Sequence, residues 1–123
     1  ENAYDYFDFV SPMVYPSHYA PGFIGYKNPA EYPYEVIRYS LDKALGRLEN
    51  YSSSTNPEIS LKSKLRPWLQ DFDLGATYGP EMVRREIQAV EDSLNNASSS
   101  RAFAGWLLWD PSNIYTEAAL QKQ

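Results

Sequence analysis

The sequence has no cysteine and a single histidine, His18. A disulfide framework, a thiolate nucleophile and a Cys-ligated zinc site are therefore excluded, and a metal would find mostly oxygen ligands. No apolar run approaches the roughly 20 residues a membrane span requires, and Glu1 to Asp5 lacks the basic start and apolar stretch of a signal peptide. The chain is expected to be soluble. Basic charge is also scarce: 11 Lys and Arg against 16 Asp and Glu leave a net charge of −5. An acidic chain repels polyphosphate, which disfavours a nucleic-acid partner. Also missing are the Gly-x-Gly-x-x-Gly turn, the Walker loop, the Gly-x-Ser-x-Gly elbow and His-Glu-x-x-His, so dinucleotide, nucleotide, serine-hydrolase and zincin chemistry lose their main support. No cofactor is expected.

Aromatic residues, by contrast, are plentiful. Eleven Tyr, five Phe and three Trp occur in 123 residues, of which 43% are apolar. That suffices for one folded domain over 1–123. Tyr and Trp pair a flat apolar face with a polar edge, which suits sugars and protein surfaces alike.

Hydrophobic periodicity divides the chain into three strand and helix units. The first apolar run, Tyr6 to Tyr15, is too short and aromatic for a buried helix and reads as a strand. A long segment from Pro16 to Tyr32, with three prolines and two glycines, follows. A helix opens at Pro33, with Tyr34, Ile37, Leu41, Leu45 and Leu48 on one side and Glu35, Arg38, Asp42, Lys43 and Arg47 on the other. Asn50 to Ser63 reads as a polar connector, and Leu65 to Phe72 as a second strand with Pro67 weakening its early pairing. Gly79-Pro80 opens a second helix, its apolar face Val83, Ile87, Val90 and Leu94, with Arg84, Arg85, Glu86, Glu91 and Asp92 expected outward. The Asn95 to Ser100 cluster ends it. Phe103 to Trp109 reads as a third strand, and Thr116 to Gln121 as a short helix.

Strands alternating with helices in this way imply a parallel sheet with right-handed crossovers. A complete (β/α)8 barrel takes about 250 residues, so three units are expected to be part of one. Leaving their inward side chains wet costs free energy on the scale of a whole domain's stability, so the units should need the rest of a parent barrel or a second copy.

In a parallel barrel all strands deliver their C-terminal ends to one face. Three clusters fall there: Tyr15, Ser17, His18 and Tyr19; Gln70 and Asp71; Trp109, Asp110 and Asn113. His18 can donate to a hydroxyl or shuttle a proton. Neighbours on a strand point to opposite sides, so only one of Gln70 and Asp71 faces the axis, and the sequence leaves open which. Asp71 reads as a strand-end carboxylate for acid, base, nucleophilic or electrostatic work, or as a cap for the segment beyond. Trp109 offers a stacking floor, with Asp110 and Asn113 bonding hydroxyls, while Trp106 reads more readily as core. Glu86 and the other helix acids read as solvated charge.

The strings Ser11-Pro12-Met13-Val14-Tyr15-Pro16-Ser17-His18-Tyr19, Arg66-Pro67-Trp68-Leu69-Gln70-Asp71-Phe72 and Gly105-Trp106-Leu107-Leu108-Trp109-Asp110 resemble the putative glycosyl hydrolase domain family, a family of unknown function grouped with the TIM-barrel glycosidases. The resemblance covers nearly the whole chain, in order, and looks like the family's C-terminal portion. It implies a bacterial, exported or surface-associated (β/α)8 barrel whose last three strands and helices lie here, acting on a polysaccharide by hydrolysis of glycosidic bonds. By the layout of amylase-like barrels, Asp71 would match the third, stabilising carboxylate, the two principal ones would lie on strands outside this chain, and the fragment alone would be inactive. A non-catalytic barrel that holds a cell-surface glycan is the alternative.

Overall fold

A computed structural model of the protein describes Tyr4 and residues 6–55, 63–96 and 103–120. In chain order it contains strand β1 (Phe9–Val10), a long loop with 3-10 turns at Pro16–His18, Phe23–Gly25 and Pro29–Glu31, helix α1 (Pro33–Thr55), strands β2 (Lys64–Leu65) and β3 (Trp68–Gln70), helix α2 (Pro80–Asn96), strand β4 (Leu107–Trp109) and a 3-10 turn at Glu117–Ala119. The chain is thus mixed α/β, with two helices and short strands.

β1 pairs with β2 and β3 with β4, both in parallel. Isolated parallel bridges join Met13 to Trp68 and Leu65 to Phe103. The extended run 64–71 therefore lies between the other two. Its backbone N–H groups at Lys64, Arg66 and Trp68 donate to Asp8, Val10 and Pro12 on one side, while Leu65 and Pro67 accept from Ala104 and Leu107 on the other.

Each apolar run yields less ladder than its length led us to expect, for a local reason. Pro12 and Pro67 have no N–H to donate. On the third run, Leu65 pairs with Phe103 but Trp68 pairs with Leu107, so four residue steps oppose three. This is a bulge, and Gly105 lies inside it with φ +79°, a conformation that costs glycine nothing.

The inserted residue decides where the tryptophan goes. Side chains alternate between faces, and one extra residue reverses the assignment beyond it. Phe103, Leu65, Leu69 and Val14 belong to one core with Ile37, Leu41, Leu45 and Leu48 of α1 and Ala89 and Val90 of α2. Without the bulge Trp109 would share that face. With it, Trp109 stands on the opposite face beside Trp68, their rings edge to face at 5.9 Å.

Three boundary and orientation expectations are corrected. α1 runs on to Thr55, so the polar connector begins later than Asn50; Tyr51 continues the apolar stripe and its ring meets Tyr4 at 6.0 Å. The helix expected over Thr116–Gln121 is a 3-10 turn over Glu117–Ala119, with Gln121 outside the described residues. Glu86 is not solvated charge: its exposure is 0%. It lies three residues after buried Val83 and four before buried Val90, hence on the inward stripe of α2. α2 continues through Asn95 and Asn96, the first two residues of the cluster expected to end it; the rest of that cluster lies outside the described residues, and the side chain of Leu94 is likewise not described.

Candidate functional site

Gln70 and Trp109 are register partners at the C-terminal ends of β3 and β4, and therefore share the sheet face turned away from the helices. Leu69 points into the helix-side core, which settles the orientation left open by the sequence: Gln70 faces away from the helices. Its side chain is fully buried, and the amide is hydrogen-bonded at both its oxygen and its nitrogen. The Oε1 atom accepts from the Ser17 backbone N–H at 3.2 Å and from the Ser17 hydroxyl at 2.8 Å, while Nε2 donates to the Phe72 carbonyl at 2.9 Å. The 3-10 turn Pro16–His18 is thus fastened to the end of β3.

That fastening brings an aromatic group together. Tyr15 meets His18 at 5.3 Å and Phe72 at 5.6 Å, and His18 meets Phe72 edge to face at 6.2 Å. His18 is exposed, Tyr15 is buried and Trp109 is 43% exposed. Tyr15, Ser17, His18, Gln70 and Trp109, from three separate runs of sequence, gather at one end of the sheet. Phe72 belongs with them; the sequence marked it only as the last residue of a strand, although its place beside two strand-end polar residues was visible.

The remaining candidates are placed elsewhere. Tyr19 turns toward α1, its hydroxyl sharing a 2.8 Å hydrogen bond with Ser40 and its ring lying 4.3 Å from Phe23. Asp110 is an intraloop cap whose Oδ1 accepts from the backbone N–H groups of Ser112 at 2.6 Å and Ile114 at 3.2 Å. Asn113 is exposed at φ +56°, and its N–H donates to the Asp110 carbonyl. Trp106 is half-buried against the helix-side core.

Asp71 is buried, with 3% exposure. Its Oδ2 accepts the Thr116 backbone N–H at 2.8 Å and its Oδ1 accepts the Thr116 hydroxyl at 2.6 Å. Both oxygens are therefore spent on holding the segment after β4. Glu86 on α2 is buried as well, and neither of its oxygens has a hydrogen-bond partner among the described residues. Burial first, and then the charge of Asp71, hold the Glu86 carboxyl well above the usual glutamate range. The Gln70 backbone N–H works in the opposite direction, short of a formed hydrogen bond. Burial and Glu86 together raise the Tyr15 phenol, and the same two causes raise Tyr78, whose hydroxyl donates to the Ala30 carbonyl at 3.1 Å.

Among the described residues no group of three or more His, Cys, Asp or Glu is placed to hold a metal ion, and no helix is long and apolar enough to cross a membrane. The family model described as a putative glycosyl hydrolase domain matches residues 1–115. The chain belongs to that family. No curated protein and no solved structure matches it. Family membership supports a glycosidase-like role in general terms, and the strand-end cluster is one place among the described residues where side chains from distant positions converge.

Proposed function

We propose that the strand-end cluster is a sugar-binding rim of a polysaccharide-acting glycoside hydrolase. In this reading the parallel runs are consecutive units of a (β/α)8 barrel whose interior is the face bearing Trp68 and Trp109. The observation that carries it is Gln70: a fully buried amide that uses Ser17 to seat Tyr15 and His18 on one side, with Trp109 half exposed on the other. A flat indole beside fixed hydrogen-bonding groups is a suitable floor for a sugar ring.

Glycosidic hydrolysis requires two carboxyl groups flanking the bond, about 5 to 5.5 Å apart for retention or roughly 6.5 to 9.5 Å for inversion. Asp71 and Asp110 are both engaged with backbone donors, so the cleaving pair belongs on other strands of the parent barrel, and this chain supplies sugar contacts and support. The same engagement gives the second reading, a barrel that binds a surface glycan without cutting it. An exported, bacterial setting goes with either.

The test measures binding of cell-wall and capsule oligosaccharides by the intact polypeptide alongside release of reducing ends. Trp109→Ala is expected to weaken binding about tenfold or more, equivalent to about 1.4 kcal/mol. Product release together with that loss supports the hydrolase; binding without product supports the glycan receptor. No binding to any glycan removes both.

A further inference from the structure

The three extended runs pair in parallel, and sheets of that kind are ordinarily covered on both faces. Here α1 and α2 cover one face. The other carries Phe9, Met13 and Trp109 in contact with solvent, with Trp68 half-buried between them. It also carries two cations. Lys64 is the register partner of Phe9, and Arg66 follows on the same side of the strand, its guanidinium carbon 5.9 Å from the centre of the Phe9 ring.

Neither cation forms an ion pair among the described residues, and Arg66 Nε is buried with no hydrogen-bond acceptor. Residues 9–15, 64–71 and 103–109 contain a single acid, Asp71, whose two oxygens are taken by Thr116. In a chain of net charge −5, this face is cationic. The Phe9 ring can meet the guanidinium only through its flat side, whereas the N–H groups point outward in the guanidinium plane and call for acceptors. A buried donor without an acceptor is costly, and a carboxylate is the partner that matches a guanidinium in both charge and geometry.

A second copy does not supply that partner. A two-fold axis that laid this face against itself would set Lys64 and Arg66 against the same two cations, and like charges across an interface oppose association. We propose that the open sheet face is closed by further strands of the parent polypeptide, one of which directs an Asp or Glu side chain at Arg66, and that the same cations keep two copies of this chain from pairing through it. The proposal rests on the barrel reading and adds the chemistry of the side chain opposite. Arg66 precedes Gln70 by four residues, or about 13 Å along a strand, which puts the ion pair below the rim and apart from the sugar contacts.

Two measurements test it. In the 123-residue protein, sedimentation and Trp109 emission are followed as concentration rises, for the wild type alone and for its equimolar mixture with a variant carrying both Lys64→Glu and Arg66→Glu. That variant presents the same face with carboxylates in place of the cations. The mixture is expected to associate about tenfold or more tighter than the wild type alone, with emission moving to the blue, and Arg66→Gln in place of the wild type is expected to lose most of the gain. Wild type that pairs with itself as tightly as the mixture overturns the proposal. The second measurement follows arginine Nε–H groups by nitrogen-15 NMR in a longer polypeptide that supplies the covering strands. The Arg66 signal, assigned through the backbone so that no variant has to fold, is expected to exchange with solvent about tenfold or more slowly than in the 123-residue chain. If Trp109 emission is blue there while the Arg66 Nε–H exchanges as fast as in the short chain, strands cover the face without a carboxylate; the proposal is overturned and the barrel stands. If Trp109 is as wet as in the short chain, the barrel reading falls and the proposal falls with it.

Discussion

Tyr34 reaches across from α1 to α2 and donates its hydroxyl to Asp92 Oδ2 at 2.9 Å, while Gln88 donates to the other oxygen at 2.9 Å. The Tyr34 hydrogen bond first, and Gln88 second, hold the Asp92 carboxyl below the usual aspartate range. A lowered carboxyl contributes stability that is present above the unfolded aspartate value and is lost as pH falls through the folded one. Tyr34→Phe is therefore expected to unfold at lower urea than wild type at neutral pH, with the gap between the two closing below the ordinary aspartate range. Urea midpoints at neutral and acid pH measure it; a gap that persists in acid would show that Tyr34 acts by packing alone. Side-chain types at helical spacing placed Tyr34 on the inner stripe of α1 but left Asp92 as outward charge, because period alone does not say that a phenol at the edge of the stripe will reach a carboxylate on the neighbouring helix. Glu86 is the instructive opposite. Its spacing to Val83 and Val90 put it on the inward face, and its charge argued against that placement; spacing prevailed, since a protonated carboxyl is far less costly to bury than an ionised one. Tyr19 and Asp71 were legible as strand-end residues, but their partners Ser40 and Thr116 lie 21 and 45 positions away and carry no local signal.

At the level of elements, alternation between apolar runs and amphipathic stretches was enough to place both helices and all three extended runs. What it could not show was the interruption of the ladder. Pro67 announced a weak point, and Gly105 inside an otherwise apolar run is the usual mark of a bulge, yet only the pairing of Leu65 with Phe103 and Trp68 with Leu107 shows that a residue has been inserted. The bulge has a testable consequence. Gly105→Ala meets no atom within 4 Å, so its expected cost of about 1 to 2 kcal/mol comes from the left-handed backbone and not from crowding. Deleting Gly105 does more, because it forces either Phe103 or Trp109 onto the wrong face. The deletion is expected to abolish the near-ultraviolet dichroism arising from the Trp68 and Trp109 rings and to lower the urea midpoint further than Gly105→Ala does. A deletion variant with the wild-type Trp signal would show that the insertion does not set the position of Trp109.

For the molecule as a whole, one sheet face is packed by α1 and α2 while the other carries Phe9, Met13 and Trp109 exposed, with Trp68 and Leu107 half-buried between them. Met13 is 73% exposed. Apolar area of this kind gains roughly 25 cal/mol per Å² when removed from water, which is the physical reason to propose that further strands of a barrel, or a second copy, lie over it. The three tryptophans make the question measurable, since Trp106 packs against the helix-side core and Trp68 and Trp109 stand on the open face. In the 123-residue chain at low concentration, acrylamide is expected to quench a large share of the emission; Trp109→Phe should remove most of that share and Trp106→Phe should leave it. A longer polypeptide that supplies the covering strands should emit further to the blue and resist the quencher at every concentration, whereas a second copy would confer the same resistance on the short chain only as its concentration rises. Emission that is already blue and resistant at the lowest concentration would mean that the face is sealed within the single chain, and the barrel reading of the rim would lose its interior.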